Sequence, residues 1–250
     1  MSGHSKWSTI KHKKAAKDAK RGKMFTKLIR EITIAARMGS SGDPSFNPRL
    51  RTAVLAAKAA SMPNDNIERA IKKGIGESGG AAYEDVMYEG YGPGGVAIMV
   101  RALTDNRNRT VADVRGIFQR YGGSLGEAGC VGWMFQRRGV LVVDGASIDE
   151  ELVMEAALEA GADDVADADG AWEVSSSPEA FERVREALER AGAGIVSAEV
   201  TMVPSSTVAV RGADAEQLVK LLEALDDHDD VQAVSANADL DEDEVARLSA

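Results

Sequence analysis

The sequence predicts an α+β protein of several domains: an N-terminal three-helix domain and two α/β domains, at least one of them ferredoxin-like. Three observations carry this. Apolar residues recur at helical spacing between Met24 and Ile71, with basic residues and alanines between them. Four glycines within residues 74–82 then break the pattern as a linker would. Beyond them, short apolar runs and amphipathic stretches follow one another in the order βαββαβ, the ferredoxin-like unit. A chain of 250 residues, 44% hydrophobic and 28% charged, has the length of roughly two compact domains and the composition of a folded one.

Met24, Phe25, Leu28, Ile29, Ile32 and Ala36 give one apolar face to a helix running to about Met38. Asn47-Pro48 reads as an N-cap followed by proline at the first helical position. Leu50, Val54, Leu55 and Ala59 line the buried side of that second helix, and Pro63 ends it. A third helix is capped by Asn64 or Asp65, turns Ile67 and Ile71 inward and stops at Gly74. Past the linker, residues 96–100 read as a strand, and Thr110-x-x-Asp113, a capping box with Asp in place of Glu, opens a helix. Residues 140–143 are a strand, 149–160 a helix, 164–168 and 171–175 strands, 178–190 a helix and 195–202 a strand. A strand at 207–211, a helix at 213–225 and a strand at 231–236 complete the pass. The expected domains are therefore 1–78, a basic arm with three helices; 79–133 with 204–240, a discontinuous α/β domain; 134–203, an inserted ferredoxin-like domain; and 241–250, an acidic tail. Three domains in simple sequence order are the alternative, with the last too small to close its own core.

The net charge is −10, and it is unevenly placed. Residues 1–73 hold 17 Lys+Arg against 5 Asp+Glu, while residues 74–250 hold 13 against 35. Such asymmetry predicts a nucleic-acid-directed segment on an acidic body. Its cations from the N-terminus are Lys6, Lys11, Lys13, Lys14, Lys17, Lys20, Arg21, Lys23, Lys27 and Arg30, opposed only by Asp18. That exceeds what solubility needs, so phosphate neutralisation is the expected use; a solvated arm is the plainer alternative. Between His12 and Lys23 the only apolar side chains are alanines, so the stretch is expected to be loose without a partner. Trp7 either stacks on a base or ribose or anchors the arm to its own domain.

Residues 104–110, Thr-Asp-Asn-Arg-Asn-Arg-Thr, lie at a strand-to-helix junction. Arg107 and Arg109 with the helix's first amides offer a second anionic contact; the alternative is a capped turn whose arginines pair with the acidic body. Tyr91-Gly92-Pro93-Gly94-Gly95 lacks the Gly-Lys-Ser/Thr ending of a phosphate loop and leads into a strand, so a tight turn is expected. With three histidines, no Gly-x-Ser-x-Gly elbow and no His-Glu-x-x-His helix, no enzyme and no cofactor are predicted. The acidic runs 226–230 and 239–244 lack the glycine and glutamate of a calcium loop, so solvated turns rather than a metal are expected. Cys130, the single cysteine, reads as a small packed side chain. No apolar run approaches the ~20 residues of a membrane span, and the N-terminus shows no secretory pattern. A cytoplasmic protein without membrane contact is expected.

Gly3-His4-Ser5-Lys6-Trp7, the stretch from Lys11 to Ile32, Met62-Pro63 with residues 65–71, residues 88–95 and residues 104–110 together resemble the YebC/PmpR family. The likeness covers essentially the whole chain, in the family's order. Cys130 departs from it, standing where a small hydroxyl residue is expected. The resemblance implies one helical and two α/β domains and a non-enzymatic regulator of gene expression. Members have been assigned as DNA-binding transcriptional regulators; others, including a mitochondrial translational activator, act in translation, where ribosome-associated factors relieve stalling, notably at proline runs. The implied partner is DNA, or ribosomal RNA on the ribosome. Nothing in the sequence reads as a helix-turn-helix, zinc finger or basic zipper.

Overall fold

In a computed structural model, the structure describes residues 19–39, 41–76, 83–168, 170–240, 244 and 247. Helix α1 spans Ala19–Met38, α2 Pro48–Ala59 and α3 Asn64–Gly74. They close on Ile32, Ala35, Leu50, Ala57 and Ile67. One buried asparagine organises the corner. The Asn47 side-chain oxygen Oδ1 accepts from the Leu50 amide at 3.1 Å, capping α2, and its Nδ2 donates to Ala35 O on α1 at 2.7 Å. Helices α1 and α3 touch at Gly74, where a Cβ would lie 2.4 Å from Thr33 O and 2.7 Å from Ala36 Cβ.

Next come β1 Glu84–Tyr91, β2 Ala97–Thr104, α4 Arg107–Arg120 and the short β3 Ser124–Leu125. The chain then builds β4 Phe135–Asp144, α5 Glu150–Glu159, β5 Ala162–Asp167, β6 Ala171–Ser176, α6 Phe181–Arg190 and β7 Ile195–Pro204. It finishes with β8 Val208–Ala209, α7 Gly212–Asp226, β9 Val231–Ala236 and β10 Ala238–Asp239. One sheet has the order β5-β6-β4-β7, antiparallel throughout. Its helices bury Val153, Ala157, Phe181, Val184 and Leu188 against Leu141, Val143 and Val174. The ferredoxin-like unit expected from the order of elements is present. The other sheet has the order β3-β1-β2-β9, so the chain leaves it before β4 and returns to it at β9. Helices α4 and α7 cover it through Val114, Phe118, Leu218, Leu221, Leu222 and Leu225.

Four local expectations need correction. Leu55 and Ala59, expected on the buried side of α2, are exposed; Ala53 and Ala57 take that side with Leu50 and Val54. Residues 19–23, the end of the stretch expected to be loose, belong to helix α1, since alanine and lysine favour helix; residues 12–18 of that stretch lie outside the described residues. Helix α4 opens at Arg107 and not at Thr110: Asn106 is the cap, accepting from the Arg109 amide at 3.1 Å. Strand β1 had no counterpart in the periodicity, because Glu84, Asp85 and Glu89 break its alternation. The glycine motif is a tight turn as expected, with Gly94 and Gly95 at φ of 71° and 75°.

Gly74→Ala should separate α1 from α3 and destabilise the chain by about 1–3 kcal/mol, read as a lower midpoint of urea unfolding. An unchanged midpoint would show that this close approach is not needed.

Candidate nucleic-acid interface

Lys23, Lys27 and Arg30 recur at helical spacing along one side of α1. That side meets the turn 226–230, at the C-terminus of α7. Lys23 Nζ donates to Asp227 O at 3.2 Å and stands 3.7 Å from the Asp227 carboxylate. Lys27 Nζ donates to Asp226 O at 2.5 Å and lies 3.4 Å from its Oδ1. These cations therefore sit on the last carbonyls of α7, where the helix dipole favours positive charge. Arg30 donates to Asp229 O and, at 2.7 Å, to Asp230 Oδ1.

Asp230 is the centre of this contact, with a side chain only 3% exposed. Its other oxygen accepts from Arg109 Nη2 at 2.9 Å and from Thr110 Oγ1 at 2.7 Å. Burial would raise its pKa, but the bonds from Thr110 and Arg109 and the charges of Arg30 and Arg109 outweigh it and hold the carboxyl below its ordinary value. The acidic turn expected to be solvated is thus a docking surface for α1. A buried carboxylate has to find cations, and the body alone supplies only Arg109 to Asp230.

A second bridge runs beside the first. Arg49 of α2 joins Glu31 of α1 (Nε–Oε1, 2.8 Å) to Asp85 of β1 (Nη2–Oδ2, 3.0 Å). Arg101 of β2 closes the ring on Glu31 at 3.0 Å and on Asp85 at 2.7 Å. Burial of Asp85 opposes its ionisation, yet the two arginines keep its pKa lowered. The ring on Tyr83 carries Arg30 at 5.8 Å and Lys73 at 5.6 Å from its centroid.

The expected contact residues fall into three groups. Lys6, Trp7, Lys11, Lys13, Lys14 and Lys17 lie outside the described residues, and Lys20 and Arg21 belong to the first turn of α1 with their side chains outside the description. Lys23, Lys27, Arg30 and Arg109 are brought together around the turn 226–230. Arg107, first in α4, is exposed and its charge acts on the buried phenol of Tyr88. Asp230, Glu31, Arg49, Asp85 and Arg101 were not anticipated; the five-residue acidic run was the one visible sign. Among the described residues no group of three or more His, Cys, Asp or Glu is placed to hold a metal, and no helix is long and apolar enough to cross a membrane.

Comparison with known proteins places this architecture. The family model for the TACO1/YebC N-terminal domain matches residues 5–77, and that for the TACO1/YebC second and third domain matches residues 83–238. A probable transcriptional regulatory protein of Geobacter sulfurreducens is 58% identical over 248 residues, covering 99% of this chain and all of that one. Another of that description, from Desulfatibacillum aliphaticivorans, is 59% identical over 98% of this chain and 99% of its own. The crystal structure of a conserved hypothetical protein, Aq1575 of Aquifex aeolicus, superposes with a TM-score of 0.83 at 50% identity, covering 90% of this chain and 93% of that one.

Asp230→Ala strips Arg30, Arg109 and Thr110 of a buried acceptor and should cost about 3–5 kcal/mol of stability in urea unfolding. A loss below about 1 kcal/mol would contradict the buried pairing. Asp85 and Asp230 are held below the ordinary aspartate pKa in the folded protein, so their stabilisation is complete above the unfolded value and is lost as pH falls through the folded one. The melting midpoint should hold from pH 7 to about 5 and fall below it, less steeply in Asp230→Asn. Equal slopes would show that Asp230 is not among the groups responsible.

Proposed function

The chain belongs to the TACO1/YebC family, and from that premise we propose that it is a non-enzymatic, nucleic-acid-binding regulator of gene expression in the cytoplasm, a DNA-binding transcriptional regulator gripping phosphates through its basic N-terminal domain. The observation that supports this most is a division of labour among the cations. Lys23, Lys27 and Arg30 are committed to the body. Lys6, Lys11, Lys13, Lys14, Lys17, Lys20 and Arg21 precede them with only Asp18 as an acid in the same stretch of sequence. The docked stretch of α1 thus orients the domain, and the cations before it supply phosphate contacts, with Arg107 as a further anionic contact; Arg109, paired with Asp105 and Asp230, is committed to the body.

Such contacts position a polyanion without reading its sequence. A helix about 10–12 Å across lies in a major groove about 12 Å wide only when its reading face is free. One side of α1 is occupied by the turn 226–230. That observation favours backbone recognition and gives a second reading its place: a ribosome-associated translation factor contacting ribosomal RNA and relieving stalling.

Changing Lys11, Lys13, Lys14, Lys17 and Lys20 to glutamate should flatten the slope of log affinity against log salt by at least about 4 on duplex DNA and weaken binding alike across sequences. An unchanged slope and affinity would remove the arm from the interface. Footprinting at one preferred operator supports the transcriptional reading; co-sedimentation with ribosomes that the five-glutamate variant loses supports the translational one.

A further inference from the structure

The loop between β3 and β4 is held far more firmly than an exposed turn requires. The buried carboxylate of Glu89, on β1, accepts from the amides of Gly129 at 2.8 Å, Val131 at 2.9 Å and Gly132 at 2.6 Å. Burial pushes its pKa up, and those three bonds more than reverse the effect. Val131 and Phe135 sink into a small core with Ala97 and Met99. Between these two anchors Trp133 stands 74% exposed. Its indole Nε1 donates to Cys130 O at 3.3 Å, and the Tyr91 hydroxyl donates to the same carbonyl at 3.2 Å. Both polar handles are used at one atom, so what this pair offers to solvent is ring surface.

The surroundings say what kind of surface it is. Gly126, Glu127, Gly129, Gln136 and Arg137 are all exposed, so polar residues and glycines flank Trp133 along the chain. Arg137 makes no ion pair among the described residues, and Glu127 is the exposed acid of the loop. Arg120 closes α4 just before Gly122, whose Cβ position lies 3.9 Å from Pro93 in the turn that follows Tyr91. The helical domain is fastened at the opposite end of β1, through Asp85. From Asp85 to Tyr91, six steps of about 3.3 Å along β1 separate the two by about 20 Å.

We propose that Trp133, backed by Tyr91, is a stacking platform for an unpaired base of a single-stranded nucleic acid. A base needs one flat face and no particular hydrogen-bond pattern, which is what the Trp133 ring presents, and Arg137 follows it four positions along the chain. A ring already fixed in place loses little freedom on binding. The proposal rests on the nucleic-acid reading above and adds to it a contact remote from the basic domain.

The test uses full-length Trp133→Ala and Trp133→Phe against a 20-nucleotide single strand and the duplex of the same sequence, at several salt concentrations, beside the five-glutamate variant. Trp133→Ala should bind the single strand roughly 5- to 150-fold more weakly, with the salt slope and the duplex affinity unchanged, and Trp133→Phe should recover most of the loss. Wild-type affinity of Trp133→Ala for the single strand overturns the platform, and so does an equal loss on the duplex or a change in oligomeric mass. If the five-glutamate variant binds normally while Trp133→Ala does not, the phosphate reading fails and the platform stands. The reverse result removes the platform alone.

Discussion

Asp230 cannot be buried as a carboxylate unless cations reach it, and the rest of the architecture follows from where those cations come from. Arg109 arrives from α4, within the same sheet domain, and Arg30 arrives from the helical domain 200 positions away in sequence. Removing either leaves charge uncompensated in a poorly solvated place, so the helical domain and the sheet are obliged to stay together. Thr110 takes part through its hydroxyl, which also meets Thr104 at 2.7 Å and so ties the end of β2 to the first turn of α4.

The contact also decides which cations can serve a partner. Attraction alone would draw a basic segment onto an acidic body entirely. Here the attraction falls on residues 23–30 of α1, where three cations meet the C-terminal carbonyls of α7 and the carboxylates beyond it. The ring of Glu31, Arg49, Asp85 and Arg101 fixes the domain along a second line, which restrains rotation about the first. In this arrangement the body fixes the direction of the described part of α1.

The helices and the ferredoxin-like order were legible because periodicity and turn residues are local signals. Leu50, Val54, Ile67 and Gly74 announce their helices within a few positions of themselves. What escaped the sequence was set by distant partners. Strand β1 is obscured by Asp85 and Glu89, whose charges are met by Arg49, Arg101 and the 129–132 amides, all far along the chain. Thr110 and Asn106 are both N-cap residues by type, asparagine the stronger, and in the fold Asn106 caps the helix while the threonine hydroxyl bonds Asp230. Five consecutive polar residues at 226–230 look solvated until α1 is laid against them. The basic character of the N-terminal segment was plain from composition; which of its cations face inward was not.

A double-mutant cycle between Arg30→Ala and Asp230→Asn, followed by urea unfolding, tests most directly whether this pairing holds the helical domain to the sheet. The account predicts a coupling energy above about 1 kcal/mol, since the two groups share a buried contact at 2.7 Å. Additivity within about 0.5 kcal/mol would mean that the two domains do not depend on Asp230, and the account built on it would be contradicted.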